Sequence, residues 1–316
     1  MYNRWSVPLN TIDKDGNVYL DNTSKDICQK ENGEWKVMSN LQGKDVKQKW
    51  DVDNELKILA IGNSFSDDAL WLLPDILKSL GITKFRISNL YLPGCLLERH
   101  LSNIQNDSAV YEFRTNTGDG WNTVYNTKLS DGVKADDWDY ITFQQGSPKS
   151  GLPESYLDLI KILDAVEAIK PNAKLAWHMT WAYQQDYSSS AFTENYGGNQ
   201  STMYNAIVNS VKSHILNNFD INFIIPNGTV VQNARTSFLR DTITRDGFHM
   251  SYDIGRYMTA LTYAYLMTGY SLDDVAFKPT SISDDIKRVC IESVKNAIMN
   301  PCTITKSIYT ENTNEA

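Results

Sequence analysis

Apolar runs of strand length alternate with amphipathic segments along most of the chain, starting near residue 57. Runs typical of buried strands fall at 57–61, 85–91, 139–143, 174–178 and 222–226. Apolar residues at helical spacing fall at 67–80, 96–105, 155–169, 200–217, 254–268 and 284–299. This alternation of strands and helices predicts an α/β domain in which helices cover both faces of a parallel sheet.

Three segments depart from that alternation. Short alternating pieces bounded by Gly and Asn, at 16–22 and 33–40, predict a β-rich N-terminal extension. Segment 107–135 has the pattern of a hairpin that turns at 118–120. The polar and aromatic segment 181–199 predicts a long loop of the kind that often carries function. We expect an extension at 1–53, a main domain at 54–270, and a C-terminal helix and tail at 271–316 packed on that domain.

Composition narrows the possible partners. The chain has 316 residues, of which 41% are apolar and 22% charged, as is typical of a folded globular protein. A net charge of -8 and the lack of a basic tract argue against a nucleic-acid partner. No apolar run approaches the ~18 residues of a membrane span. The opening MYNRWSVPLN has no apolar signal core, so we expect any export signal to be absent or already removed.

The pattern of possible ligands predicts neither a metal nor a cofactor. Segment 13–24 resembles a calcium loop, but Val18 stands where the turn glycine belongs and Ser24 where the bidentate Glu belongs. A hairpin turn is therefore the expectation for this segment. The four cysteines show no C-x-x-C pair, and no histidine pair has zinc spacing. Cys290 and Cys302 are interpreted either as a bridge or as free buried thiols.

The residues that follow the predicted strands carry the candidate chemistry. Ligands of parallel α/β sheets bind beyond the carboxyl ends of the strands, and Ser64 follows the first strand directly. Asp246 and His249, three residues apart, can supply a general base and the group that orients it. Backbone N–H groups of Ser64 and Gly94, with the Gln145 carboxamide, can supply an oxyanion hole. Taken singly, Gly-x-Ser is a common turn and Asp-x-x-His a common helix cap. Together, in this order, they predict an acyl-transfer site.

These residues resemble the conserved blocks of the SGNH (GDSL-type) hydrolases. Gly62-Asn63-Ser64 is similar to their Gly-Asp-Ser block, Gly94 falls at their oxyanion glycine, and DGFH matches their Asp-x-x-His block. The resemblance covers about residues 56–270. The segments NSFSDDA, TWAY and QNARTSF resemble more closely an SGNH-like subgroup from glycan-degrading bacteria.

Two positions depart from that family. Asn63 replaces the usual Asp of the first block, which is not a triad member. The third block normally reads Gly-x-Asn-Asp, whereas this chain has FQQGS. In acetylesterase relatives a Gln-Gly pair takes that place, which makes Gln145 the counterpart of the third oxyanion donor and leaves Gln144 as the alternative.

The resemblance implies a three-layer α/β/α flavodoxin-like fold and a serine esterase that removes small acyl groups, acetyl above all, from carbohydrates. It also implies a periplasmic or extracellular location. Two alternatives stay open: a lipase or thioesterase of the same superfamily, and a glycan-binding module on an inactive scaffold. Further candidate substrate contacts, each with a purely structural interpretation beside it, are Gln144, His178, Trp181 and Arg99.

Overall fold

The computed structural model describes residues 2–4, 18–21, 26–31, 34–40, 49–216, 218 and 220–311. The chain divides into two compact units, Met1–Gln48 and Lys49–Ala316. Residues 49–53, expected in the extension, therefore fall within the larger unit.

The described residues of the smaller unit form a four-stranded sheet. Its strands follow one another in the sheet, β1 and β2 pair in parallel, and the other two pairs are antiparallel. Most of the calcium-like segment 13–24 lies outside the described residues. The strands are β1 (Tyr2–Arg4), β2 (Val18–Asp21), β3 (Asp26–Glu31) and β4 (Glu34–Asn40).

The larger unit contains one seven-stranded sheet and the helices that cover it. Its strands are β5 (Leu56–Gly62), β6 (Phe85–Tyr91), β7 (Ala109–Asn116), β8 (Trp121–Lys128), β9 (Tyr140–Phe143), β10 (Lys174–His178) and β11 (Phe223–Ile225). Its helices are α1 (Ser64–Leu70), α2 (Leu73–Ser79), α3 (Leu97–Gln105), α4 (Leu129–Lys134), α5 (Leu159–Glu167), α6 (Ser190–Tyr196), α7 (Gln200–His214), α8 (Asn227–Ala234), α9 (Ile254–Thr268) and α10 (Asp284–Met299).

The strand order confirms the predicted flavodoxin-like α/β/α fold. The strands run β11-β10-β9-β5-β6-β7-β8, and the first five are parallel. Counted along the chain, those five have the 2-1-3-4-5 order of flavodoxin-like sheets. Ile61 of β5 pairs with Leu90 of β6 and Phe143 of β9, so the carboxyl ends of three strands meet at one edge. Helices α1, α2 and α9 pack together, and α3 packs with α4 and α5.

The predicted hairpin is present, but it also extends the sheet. Strand β7 pairs antiparallel with β6, and β8 pairs antiparallel with β7, so the sheet is mixed rather than wholly parallel. Ser88 and Thr115 form a hydrogen bond across the new pair at 2.8 Å.

The predicted helix 67–80 is two helices instead of one. Pro74 lies in the first turn of α2, where its missing N–H is tolerated. A continuous helix would leave the carbonyl four residues earlier without a donor and in collision with the proline ring. The chain therefore breaks between α1 and α2, and the side chain of Trp71 at this break is 39% exposed.

Other elements differ less from expectation. The segment 181–199, expected as a loop, contains α6. Helix α8 is buried on all sides, so its sequence does not show the apolar stripe of an amphipathic helix. The C-terminal helix α10 packs on α8 and α9. Cys290 and Cys302 are free thiols. No helix among the described residues is long and apolar enough to cross a membrane.

Candidate active site

Ser64 is the first residue of the helix that follows the central strand. The side chain of Asn63 caps α1, because its Oδ1 accepts a hydrogen bond from the backbone N–H of Phe65 at 3.0 Å. Its Nδ2 donates to the carbonyl of Cys95 at 3.2 Å, in the loop that follows β6. Asn63 therefore fixes the start of α1 against the loop that carries Gly94.

Ser64, His249 and Asp246 form a continuous hydrogen-bonded chain. The Ser64 hydroxyl donates to Nε2 of His249 at 2.8 Å, and Nδ1 of His249 donates to Oδ2 of Asp246 at 2.7 Å. The other carboxylate oxygen accepts the backbone N–H groups of His249 at 2.8 Å and Phe248 at 3.3 Å. Residues 185 positions apart in sequence thus meet with the geometry of a nucleophile, a base and an orienting acid.

The same contacts keep the Asp246 carboxylate ionised. Partial burial by itself would raise its pKa, but the hydrogen bonds from the His249 ring and from the backbone N–H groups outweigh that effect. The pKa of Asp246 is therefore lowered from its ordinary value. An ionised carboxylate holds the Nδ1–H tautomer of His249, which leaves Nε2 free to accept the serine proton.

The turn between Asp246 and His249 depends on a glycine. Gly247 has a φ of +90°, and a Cβ atom there would lie 2.5 Å from the Tyr187 ring. Its carbonyl accepts the backbone N–H of Gln184 at 2.7 Å, and the ring centroids of Phe248 and His249 are 3.9 Å apart. The segment after β10 therefore supports the loop that presents the histidine.

A buried carboxylate on α1 joins that helix to the same loop. Asp68 lies one helical turn after Ser64, and its side chain is 1% exposed. It accepts the backbone N–H of Met250 at 3.0 Å, Nη1 of Arg245 at 2.9 Å and Nε of Arg256 at 2.8 Å. Arg245 also donates to the Met250 carbonyl. Asp68 thus fixes the spacing between the serine helix and the histidine loop.

Two backbone N–H groups are placed to stabilise an oxyanion. Ser64 and Gly94 both line the cleft, and neither N–H has an acceptor within the residues that the structure describes. Gly94 has a φ of +58°, and no atom lies within 4 Å of the position that a Cβ would take. The left-handed backbone, rather than crowding, is what favours glycine here.

Gln145 does not reach the cleft, which corrects the expectation that it supplies a third oxyanion donor. Its Nε2 donates to the Ser155 carbonyl at 2.8 Å and to the Ser155 hydroxyl at 2.9 Å. Its Oε1 accepts the backbone N–H groups of Leu97 at 3.0 Å and Gly146 at 2.8 Å. With both donors and the acceptor occupied, Gln145 joins the loop after β9 to the start of α3.

Gln144 reaches the site indirectly and does not line the cleft. Its side chain is buried, and its Nε2 donates to Oδ1 of Asn63 at 2.7 Å. Side chains alternate along extended backbone, so the two adjacent glutamines point in different directions. Gln144 therefore supports the cap of α1. The prediction that it contacts the substrate directly is wrong.

His178 and Arg99, two further expected substrate contacts, also lie outside the cleft lining. His178 is buried at the end of β10, and its Nε2 accepts from Nδ2 of Asn227 at 3.1 Å. Burial lowers the pKa of His178 to about 3, so the ring is neutral. Arg99 is exposed on α3. His178 is therefore a buried structural residue and Arg99 an exposed residue of a helix surface, and the expected substrate contacts of both are corrected.

Trp181 is a packing residue of the site. It is fully buried, its ring stacks on Phe65 with centroids 4.3 Å apart, and Nε1 donates to the Phe248 carbonyl at 2.7 Å. It therefore packs beneath the cleft and supports the loop that carries His249. Because its side chain is fully buried, it cannot contact a substrate.

The cleft over Ser64 has a volume of about 530 Å³. Most of its lining falls in segments that the sequence singles out: Asp67 and Asp68 in NSFSDDA, Ser147 in FQQGS, and further residues in the polar and aromatic segment 181–199. Tyr183 lines the cleft, and its hydroxyl hydrogen-bonds with that of Ser147 at 2.9 Å. The lining residues outside those motifs and segments are Tyr91, Pro93, Pro148, Arg245 and Arg256.

Other reactive groups near the site are not suited to catalysis. Burial raises the pKa of the Cys95 thiol to about 12, so this thiol stays protonated and is a poor nucleophile. Within the described part of the chain, no group of His, Cys, Asp or Glu side chains is arranged to hold a metal ion.

Residues 57–297 match the family described as Domain of unknown function (DUF4886). The chain belongs to the DUF4886 family. A crystal structure of a DUF4886 family protein from Bacteroides uniformis ATCC 8492 is similar at 35% identity and a TM-score of 0.78, covering 82% of this chain and 100% of that one. A comparison with curated proteins finds no match.

More distant solved structures include members of the superfamily that the motifs resemble. A candidate SGNH hydrolase from Slackia heliotrinireducens is 18% identical with a TM-score of 0.43, covering 68% of this chain and 100% of that one. The acetyl xylan esterase AlAXEase is 14% identical with a TM-score of 0.42, covering 67% of this chain and 99% of that one.

Proposed function

We propose that this DUF4886 family member is a serine esterase that uses Ser64, His249 and Asp246 as its catalytic triad. The observation that carries the proposal is the hydrogen-bonded chain from the Ser64 hydroxyl through His249 to Asp246, with links of 2.8 and 2.7 Å. An isolated serine hydroxyl is a weak nucleophile, and a neutral histidine beside it supplies the base that it lacks. The cleft above the serine gives an ester access to it.

In the first half of the reaction, Ser64 Oγ attacks the carbonyl carbon of the ester while its proton passes to Nε2 of His249. Negative charge develops on the carbonyl oxygen, and the backbone N–H groups of Ser64 and Gly94 stabilise it. Collapse of this intermediate breaks the bond to the leaving oxygen, which takes the proton from His249. An acyl group then remains on Ser64.

In the second half, a water molecule gives a proton to His249 and attacks the acyl carbon. The bond to Ser64 Oγ breaks, the serine takes the proton back, and the carboxylic acid leaves. Asp246 stays ionised throughout and stabilises the imidazolium that forms in each half.

For the substrate, we propose small acyl esters of carbohydrates, with acetyl as the acyl group. The cleft of about 530 Å³ combines tyrosine rings with serine hydroxyls and with aspartate and arginine side chains, which suits a polyhydroxy leaving group better than a long alkyl chain. The choice of acetyl also rests on the resemblance of FQQGS to the Gln-Gly pair of acetylesterase relatives, although Gln145 itself does not reach the cleft. On that resemblance alone, we also propose that the reaction takes place outside the cytoplasm.

A serine-reactive phosphonate tests the mechanism directly. We expect one adduct, at Ser64, and a loss of roughly 10⁴ or more in kcat towards 4-nitrophenyl acetate in the variant Ser64→Ala. Ser147→Ala is the matched control, because Ser147 also lines the cleft but its hydroxyl hydrogen-bonds with that of Tyr183 and, among the described residues, with no histidine. This variant should still be labelled at Ser64. Substantial turnover by a folded Ser64→Ala variant would refute the proposal, and an unlabelled protein would favour a binding module.

A further inference from the structure

An exposed aromatic surface continues from one side of the cleft. Tyr252 is 66% exposed and Trp71 is 39% exposed, and the Trp71 ring stacks on Trp121 of β8 with centroids 5.9 Å apart. Between the two exposed rings lies the guanidinium of Arg256, 4.6 Å from the Trp71 centroid and 4.8 Å from the Tyr252 centroid. We call Trp71, Arg256 and Tyr252 the aromatic platform.

The platform is connected to the cleft and held in place from beneath. Arg256 lines the cleft, and so does Arg245, whose guanidinium lies 4.7 Å from the Tyr252 centroid. Both arginines are fixed by the buried carboxylate of Asp68. The two rings therefore adjoin the cleft beside guanidiniums that a buried carboxylate holds in place, and such a preformed surface lowers the ordering cost of binding a ligand.

Arg256 also retains hydrogen-bond donors. Its side chain is 10% exposed, and among the described residues only its Nε has an acceptor, Asp68. The two terminal nitrogens, each with two N–H groups, are free to donate to an oxygen of a ligand above the platform. A ligand that suits the platform therefore presents an apolar face to the rings and oxygen acceptors beside it.

The local charges favour a neutral ligand. The carboxylates of Asp67, Asp68 and Glu112 alternate with the guanidiniums of Arg114, Arg245 and Arg256, and each carboxylate contacts at least one guanidinium. The arrangement therefore supplies no strong net field for an anion or a cation. A pyranose ring meets all three conditions, because its C–H face is apolar, its hydroxyls are acceptors and it carries no charge.

We propose that the aromatic platform is a subsite for a neutral sugar ring of a glycan chain whose acylated residue lies over Ser64. This inference rests on the proposed esterase function for its position in the reaction. It adds that the substrate is an oligosaccharide or polysaccharide rather than an acylated monosaccharide. The platform contributes binding to the remote part of the chain and takes no part in bond making.

The test compares chain lengths. Chemically acetylated monosaccharides and hexasaccharides of glucose, xylose and mannose are used as substrates, and kcat/KM for the hexasaccharide is divided by that for the monosaccharide. We expect wild type to prefer the hexasaccharide and Tyr252→Ala to lower this ratio about tenfold, the equivalent of about 1.4 kcal/mol. Tyr125→Ala is the matched control, because Tyr125 is 65% exposed on β8 and makes no ring contact or hydrogen bond within the described residues. It should leave the ratio unchanged.

A binding measurement separates this inference from the esterase function. In Ser64→Ala, unacetylated hexasaccharides should change the tryptophan fluorescence, because Trp71 and Trp121 lie at the platform. Adding Tyr252→Ala should weaken that binding about tenfold.

Each contrary result has a distinct meaning. If wild type hydrolyses 4-nitrophenyl acetate but does not prefer the hexasaccharide to the monosaccharide, the platform inference is wrong and the esterase function is supported. The same conclusion follows if Tyr252→Ala leaves the ratio of the two kcat/KM values unchanged. If Tyr252→Ala instead weakens the preference for 4-nitrophenyl octanoate over acetate, the platform binds an acyl chain and the inference is wrong. If no ester is hydrolysed, the proposed function fails, and hexasaccharide binding to Ser64→Ala alone decides the platform.

Discussion

Replacing Asp68 by asparagine removes the charge that joins α1 to the loop carrying His249. The carboxylate is 1% exposed and accepts from Arg245, Arg256 and the backbone of Met250. The amide of asparagine keeps the shape of the carboxylate, but its NH₂ group faces N–H donors that the carboxylate oxygen accepted. The guanidiniums of Arg245 and Arg256 also lose their counter-ion. Breaking a buried ion pair in this way costs about 3–5 kcal/mol.

The lower end of that range applies here, because the side chain of Arg245 is 23% exposed and water partly solvates it. In a domain of this size class, about 3 kcal/mol corresponds to a fall in Tm of roughly 6–12 °C. The variant should therefore still be folded at 25 °C. Its thermal unfolding, followed by circular dichroism, measures the stability part of the prediction.

The catalytic part of the prediction concerns geometry. Asp68 sets the position of the histidine loop relative to Ser64, and a shift of about 1 Å in such a site lowers turnover by about 10². We expect kcat towards 4-nitrophenyl acetate to fall by that factor while KM changes little. We also expect slower phosphonate labelling of Ser64, because the serine is then less often hydrogen-bonded to His249.

Glu112→Gln is the control. Glu112 also pairs with an arginine, Arg114, but its side chain is 28% exposed, and its recorded contacts among the described residues do not include the histidine loop. A pair of this kind contributes about 0–1 kcal/mol, so Tm and kcat should both change little. If Asp68→Asn lowers Tm as expected while kcat stays at the wild-type value, the carboxylate stabilises the fold without positioning the loop, and the reasoning is refuted.

Two further predictions concern Gln145 and Asp246. Gln145→Ala leaves two buried backbone N–H groups without an acceptor, so we expect a loss of about 2–4 kcal/mol in a denaturant titration and less than a tenfold change in kcat. A fall of about 10²–10³ in kcat at unchanged stability would instead restore Gln145 as an oxyanion donor. Because the folded-state pKa of Asp246 is lowered, its contribution to stability is complete above the unfolded-state pKa and is lost as the pH falls through the folded value. The Tm difference between wild type and Asp246→Asn should therefore be constant above about pH 5 and shrink below about pH 4; a difference that persists at low pH would contradict this.

Local sequence predicted most elements of the fold and the candidate triad of the proposed site. Buried strands and amphipathic helices have periods that can be counted along the chain, and their alternation predicted a parallel sheet covered by helices. The flavodoxin-like order of the strands was implied only by the resemblance to the SGNH hydrolases. The serine and histidine motifs were recognisable because each is short and continuous in sequence. Ser64 lies at a strand–helix junction, and Asp246 and His249 are only three residues apart.

The tertiary structure decided everything that depends on where side chains point. Gln144 and Gln145 are adjacent residues of the same type, so the sequence does not distinguish them. In the structure, Gln144 donates a hydrogen bond to the Asn63 side chain, whereas Gln145 donates to Ser155. The register of a short irregular segment after β9 sets that choice, and no periodicity encodes it. Likewise, Asp68 is an ordinary acidic residue of a helix until Arg245 and Arg256, more than 170 positions away, fold against it. Long-range contacts of this kind cannot be read from composition or spacing, because the partners share neither a motif nor an element.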